Sequence, residues 1–432
     1  MRAYRWVLFL ILLVAAVPPA SAQQRLIVRD KLGAGALKLT CLILDCKVGL
    51  NLGDPSGELF TITIDDSVNL QSFLTLLLHQ VGVADVEIDQ QVYLIGATAG
   101  PVPESLLDNT PAPYYGSLVW DGYVNQPAAQ IVRVQQAQRT FHVTGSGIVA
   151  MIDTGVDTHH PALIPVLVPG YNFINNTPNG DETGNVNQSS AAVLDGGPEP
   201  TYLNSSTIAV VSQSSAAVLD GGGDAAFGHG TMTAGIVHLV APTAKIMPLK
   251  AFSEDGSGYV SNVISATYYA AQHGAKILSM SFSFNPSSGE MAKAINYAHS
   301  KGMICVASAG NDGQDELVYP AALPHVMGVA STSNYDTRSS FSNYGPDVWV
   351  AAPGENIVTT YPYGTYAAGS GTSFSAPFVS GTAALLVSIS PTVNEQSAAA
   401  AIAHAKAVGS DLGNGRLDTY MAVQSWAALN GR

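Results

Sequence analysis

Short, continuously apolar runs alternate with helical-period segments through most of the 432 residues, and the first hundred follow a different rhythm. Ile148–Ile152, Lys245–Leu249, Lys276–Ser281 and Met303–Ser308 are apolar over consecutive positions, the pattern of strands buried on both faces. With helical patterns between them, they predict an α/β domain over residues 116–432, three layers around a doubly wound, mostly parallel sheet.

Upstream, Leu37–Leu44 and Leu59–Ile64 read as strand-like runs, Val68–Leu77 as an amphipathic stretch, and Val83–Ile95 as an alternating run. A small α+β unit over residues 23–95 fits that order. Residues 96–115 hold Pro101, Pro103, Pro111 and Pro113 among Gly, Ala and Ser, and read as an exposed linker. Within the large domain, residues 176–223 turn to Asn, Ser, Gly and Asp. The decapeptide Gln188–Gly197 recurs at Gln213–Gly222, so this stretch reads as a surface insertion with an internal duplication.

The N-terminus has the layout of a secretory signal over residues 1–22. Arg2 and Arg5 precede the apolar run Trp6–Val17, and Ala20-Ser21-Ala22 supplies small residues for cleavage. The run falls short of the roughly 20 residues a spanning helix needs, so no stable membrane anchor is expected. A secreted protein follows, extracellular or periplasmic.

Composition narrows the function. Apolar residues make up 47% and charged residues 12%, with 42 Gly and 24 Pro, which describes a compact, turn-rich globular chain. A net charge of −14 with only 18 Lys and Arg excludes a phosphate-neutralising surface, so no nucleic-acid partner is expected. Cys305 lies in an apolar run and reads as a core thiol. Cys41 and Cys46 are spaced for a local disulfide or for an incidental pair.

Four segments carry candidate chemistry. The strand ending Ile152-Asp153-Thr154-Gly155 places an acid where ligand-facing groups sit in an open parallel sheet. Gly228-His229-Gly230-Thr231 opens a helical run with an imidazole at its start. Ser308-Ala309-Gly310-Asn311 ends another strand with an amide. Gly371-Thr372-Ser373-Phe374-Ser375-Ala376-Pro377 places a serine at a helix N-terminus, where developing negative charge is favoured. Taken singly, each has an ordinary reading as a turn or cap. Together they fill four roles of one reaction: Ser373 as nucleophile, His229 as base, Asp153 as the base's anionic orienter and Asn311 as oxyanion donor.

In this order the segments resemble the signatures of subtilisin-like serine proteases. Val240–Lys245, Ala351–Gly354 and Gly413–Asp418 are similar to connecting and closing stretches of that family. The resemblance implies a serine endopeptidase made as a preproenzyme, acting as a monomer on polypeptide substrates. Residues 23–95 would then be a propeptide serving as intramolecular inhibitor and folding aid. It also implies a substrate-binding strand at Ser281, Phe282, Ser283 and Phe284, with Ala309 and Gly310 beside it. Relatives usually carry two glycines after this strand, where Ser281-Phe282-Ser283-Phe284 stands, which implies an altered substrate preference, with Phe284 either narrowing or covering the groove or lying in the core as an aromatic.

The family's usual calcium loop interrupts the histidine-bearing helix, whereas here His229 runs through Val240 into Ala241-Pro242, and Ala162 stands where an acidic ligand is usual. No cofactor and no metal are therefore expected. Asp181, Glu182, Asp195, Asp220 and Asp224 lack the spacing of a calcium loop and read as a solvated acidic loop. Two alternatives stand beside this reading. A catalytically silent, peptide-binding relative has no need of all four groups. An esterase would need a Gly-x-Ser-x-Gly elbow, which the sequence lacks.

Overall fold

The computed structural model describes residues 23–94, 103–185, 209–210, 226–316 and 318–432. The signal-like segment, the start of the linker and both copies of the decapeptide lie outside the described residues. The chain divides into two compact units, one built from residues up to Asn51 with Glu58–Ile88, the other from Leu52–Gly57 with Asp89–Arg432.

The first unit runs β1 (Gln23–Asp30), α1 (Ala34–Leu44), β2 (Lys47–Asn51), β3 (Leu59–Asp65), α2 (Leu70–Leu78) and β4 (Val83–Ile88). Its antiparallel sheet has the order β2-β3-β1-β4. Leu26 opposite Ile62 and Val28 opposite Phe60 form one face of a small core, closed by Leu37, Cys41, Phe73 and Leu77 from the two helices. Leu37–Leu44, expected as a strand, is the body of α1. Its inward residues Leu37, Cys41 and Leu44 follow helical spacing, while Leu39, Leu42 and Ile43 are exposed. Cys41 and Cys46 form a disulfide.

The second unit opens with β5 (Gln91–Tyr93) and is built on β6 (Ile148–Asp153), β7 (Tyr171–Asn172), β8 (Thr177–Pro178), β9 (Lys245–Lys250), β11 (Ile277–Met280), β12 (Ile304–Ser308), β13 (Val326–Thr332) and β14 (Val348–Pro353). These last eight form one sheet, β8-β7-β9-β6-β11-β12-β13-β14, parallel throughout except for the β8–β7 pair. Helices α3 (His229–Val240) and α6 (Thr372–Ile389) pack together on the sheet, and α4 (Val260–Gln272) and α5 (Gly289–Ser300) form a second packed pair against it. The result is the expected three-layer arrangement, and the four predicted core strands are β6, β9, β11 and β12. They are near-continuously apolar because helices cover both faces.

α6 is buried along its whole length except at Ser388. Among the described residues it is the one helix long and apolar enough to cross a bilayer, and its enclosure in the domain makes it a core helix. Small residues allow that enclosure: a Cβ on Gly381 would lie 2.5 Å from that of Val240 on α3. Pro377 removes one N–H from the helix ladder and leaves the carbonyl of Ser373, four residues earlier, without its helical donor.

Three other segments differ from their sequence reading. Leu106 and Tyr114, inside the stretch expected as an exposed linker, are buried, because the Tyr114 hydroxyl bonds the Leu239 carbonyl at the end of α3 (2.5 Å). Glu182, expected on a solvated loop, is fully buried. The run Val83–Ile95 splits, and its second part, β5, pairs antiparallel with β10 (Ser257–Tyr259). Asp89 anchors that pairing by accepting from the backbone N–H (2.9 Å) and hydroxyl (2.8 Å) of Ser261 in the first turn of α4.

Candidate active site

Asp153 is the last residue of β6 and His229 the first of α3, so the ends of two buried elements bring them together. Asp153 Oδ1 lies 2.6 Å from His229 Nδ1, and both side chains are almost completely buried. The same oxygen accepts from the N–H of Thr154 (2.8 Å), while Oδ2 accepts from the Thr233 hydroxyl one turn along α3 (3.1 Å). A carboxylate held by three donors fixes the imidazole with Nδ1 toward the acid and Nε2 turned away from it. Nε2 is buried and makes no hydrogen bond. The ring meets Phe374 edge-on at 5.8 Å, which places it beside the residue that follows Ser373.

The close seating of α3 depends on Gly230. A Cβ there would fall 1.8 Å from the Gly155 carbonyl oxygen, so only glycine allows the turn after β6 to press against the helix start. The Gly230 N–H donates to Thr154 Oγ1 at 2.9 Å.

Beneath this junction sits Glu182, which the sequence placed in solvent. Its Oε1 accepts from the Thr154 hydroxyl and the Gly228 N–H (2.8 Å); its Oε2 accepts from the Thr231 N–H (3.1 Å) and hydroxyl (2.5 Å). One carboxylate thereby ties the insertion to the turn after β6 and to both sides of His229. Burial pushes its pKa up to about 7, against the Thr154 and Thr231 hydroxyls and the nearby Lys250 ammonium, which favour the charged form. Lys250 is itself buried and donates to the Thr154 carbonyl (2.8 Å) and Glu254 (3.0 Å).

Ser373 stands in the first turn of α6, where backbone N–H groups lack helical partners. Its hydroxyl donates to the Ser281 carbonyl at 3.1 Å, and the Ser281 hydroxyl donates back to the Ser373 carbonyl at 3.0 Å, the acceptor that Pro377 leaves open. The serine hydroxyl is thus directed to Ser281 rather than to His229. Asn311 is held by its Oδ1, which accepts from the N–H and hydroxyl of Thr372 (both 2.9 Å), so Nδ2 is the donor end of the amide.

Ser281, Phe282, Ser283 and Phe284 follow β11 and are all buried. Phe282 packs on Phe252 (5.0 Å between centroids) and on Phe284. The Phe284 backbone exchanges hydrogen bonds with Tyr319 (2.8 and 3.0 Å), so that N–H and carbonyl belong to an internal bridge. Ala309 and Gly310 continue from β12; Gly310 has φ 99°, and a Cβ there would meet Asn343 Nδ2 at 2.5 Å. Of the residues that hold Asp153 and His229 but were not singled out in sequence, Thr154 and Thr233 had a signal, since each lies within four residues of a candidate group. Glu182 had none.

Residues 145–421 match the Subtilase family, Peptidase S8. The chain belongs to the subtilase family. It is 34% identical over 305 residues to thermitase of Thermoactinomyces vulgaris, an alignment covering 68% of this chain and 94% of thermitase. It is 34% identical over 250 residues to a thermophilic serine proteinase of Bacillus sp. (strain AK1), covering 56% and 52% of the two chains. In structure it resembles fervidolysin of Fervidobacterium pennivorans, a keratinolytic enzyme related to subtilisin, with a TM-score of 0.69 at 21% identity over 94% of this chain and 61% of that one. The fold is subtilisin-like, and this subtilase is a serine-type endopeptidase.

Proposed function

We propose that Asp153, His229 and Ser373 are the catalytic triad of this endopeptidase and that Asn311 donates to the oxyanion. The observation that carries the reading is the 2.6 Å Asp153–His229 contact, which leaves a buried imidazole Nε2 beside the start of α6. Rotation of the Ser373 hydroxyl from the Ser281 carbonyl to Nε2 makes the nucleophile. Its oxygen attacks the scissile carbonyl while its proton passes to Nε2, and Asp153 stabilises the imidazolium. The oxyanion is received by Asn311 Nδ2 and the first-turn N–H of Ser373. The imidazolium then protonates the leaving amine as the C–N bond breaks, and water, deprotonated by His229, releases the acyl group.

The test is steady-state cleavage of unfolded casein and of a peptide library by the purified chain and by Ser373→Ala and His229→Ala. Each substitution is expected to lower kcat by about 10⁴–10⁶, with the double variant no worse than the singles. Undiminished cleavage by Ser373→Ala would overturn the assignment.

The first unit, in this reading, is an inhibitory propeptide, supported by its size and its place before the catalytic unit. The protein is secreted, which the basic-then-apolar N-terminus and the Cys41–Cys46 disulfide support. It works as a monomer without calcium at the family's usual site. Support for the calcium reading comes from α3, which runs unbroken from His229 to Val240, and from Ala162, buried near His160, whose ring packs edge-on against Tyr366. Gln138 bonds the carbonyl of Val240 (2.9 Å) alongside Tyr114 on Leu239.

A further inference from the structure

Three ligand-type side chains meet where α5 ends, β13 begins and α7 (Glu395–Ile402) starts. His299 is in the last turn of α5, His325 immediately precedes β13, and Glu395 is the first residue of α7. The two imidazoles stack at 3.7 Å with 12° between their planes. Their Nδ1 atoms lie 3.9 and 3.8 Å from the same carboxylate oxygen, Oε2 of Glu395. All three donor atoms fall within 4.8 Å of one another, and among the described residues this is the one such group.

The separations are informative. At 3.8–3.9 Å no hydrogen bond links either ring to the carboxylate, and His299 Nδ1 is shielded from solvent with no partner. Bonds of about 2.1 Å around a tetrahedral ion put neighbouring ligands about 3.4 Å apart, so the two ring–carboxylate contacts need to shorten by about half an ångström, and the two imidazole donors, within 4.8 Å of each other, by up to about 1.4 Å. The side chains are 38%, 38% and 17% exposed, enough for the rings to tilt out of parallel and for an ion to enter.

We propose that His299, His325 and Glu395 bind a divalent transition-metal ion of the zinc class. Two imidazole nitrogens and one carboxylate oxygen suit zinc and disfavour calcium and magnesium, which take all-oxygen shells. A fourth position is left to water. The ligands come from three elements separated by 26 and 70 residues of chain, so the ion binds the folded state and cross-links it. The site stands at the N-terminal ends of β12 and β13, the opposite pole of the parallel sheet from Asp153 and Asn311, which sit at C-terminal strand ends. It is therefore a structural cross-link, and the peptidase assignment does not depend on it.

Isothermal titration of zinc chloride into the full chain, untagged and carrying Ser373→Ala to prevent self-digestion, tests the proposal. One equivalent is expected to bind in the micromolar range or tighter and to raise Tm. His299→Ala, His325→Ala and Glu395→Gln should each weaken it at least tenfold and shrink the rise in Tm accordingly, while leaving Tm without zinc near that of the parent. Cobalt should give a visible absorption band in the parent chain that His325→Ala lacks. Absence of zinc binding by the parent, or binding that survives all three substitutions at full strength, would overturn the proposal.

Discussion

Ser281 and Ser373 hold one another by two reciprocal hydrogen bonds, each hydroxyl donating to the other's carbonyl. The pair exists because Pro377 cannot donate to the Ser373 carbonyl, so a side chain outside the helix satisfies it. Removing that hydroxyl in Ser281→Ala leaves a buried acceptor unpaired and is expected to destabilise the chain by about 1–3 kcal/mol. Urea denaturation in a Ser373→Ala background, where the backbone carbonyl persists, measures the effect. A midpoint equal to that of the background would show that the carbonyl finds another donor.

Asn311 is fixed through Thr372, so its donor end is set before any substrate arrives. Replacing it with Leu should lower kcat by about 10²–10³ with little change in KM, the pattern of a contact made in the transition state. A comparable loss expressed mainly in KM would assign Asn311 to ground-state binding instead.

Thr233 reaches the second oxygen of Asp153 from one turn along α3. In Thr233→Val the acid keeps His229 and the Thr154 N–H but loses this donor. A fall in kcat/KM of about tenfold is expected, near 1.4 kcal/mol. Thr233→Ser should recover most of it, and failure of that rescue would mean that the methyl group, not the hydroxyl, matters.

Two buried groups give stability opposite pH slopes. Burial, aided by His160, lowers the pKa of His238 from 6.5 to about 4, and neither ring nitrogen has a partner. The folded state favours the neutral ring, so its contribution is complete above about pH 6.5 and is lost as pH falls toward 4. Glu182 is raised from 4.5 to about 7, so its contribution is complete below 4.5 and is lost as pH rises toward 7. Each displacement corresponds to about 3 kcal/mol across nearly the same window. Glu182→Gln should therefore make stability fall more steeply on acidification, and His238→Leu should make it rise. Denaturant midpoints between pH 4 and 7.5 on Ser373→Ala backgrounds check this, and parallel curves for all three chains would refute it.

The parallel sheet was legible because helices on both faces force long apolar runs; Asp153 and Asn311 were legible because each follows such a run, and His229 and Ser373 because each opens an apolar helix behind small residues. Leu37–Leu44 was not, since Leu37, Lys38, Leu39 and Thr40 alternate as a strand would, and only the inward set Leu37, Cys41 and partly buried Leu44 shows that they wind. Glu182 was hidden for another reason. Its partners Thr154, Gly228 and Thr231 are 28 to 49 residues away, and its acidic neighbourhood pointed toward water. Nor does chain order reveal that the Ser373 hydroxyl rests on Ser281 instead of His229, which is a matter of one side-chain rotation.

The pairing of Gln91–Tyr93 with Ser257–Tyr259 sets up a competition. A strand edge has one row of donors and acceptors, so an extended polypeptide that pairs with β10 must first displace β5. While residues 89–94 remain covalently joined to the domain they occupy, their effective concentration is on the order of millimolar, whatever the amount of protein in solution. Dilution cannot clear that edge. Cutting the chain after β5 would turn that fixed local concentration into one that falls with volume, so clearing of the edge would then follow dilution.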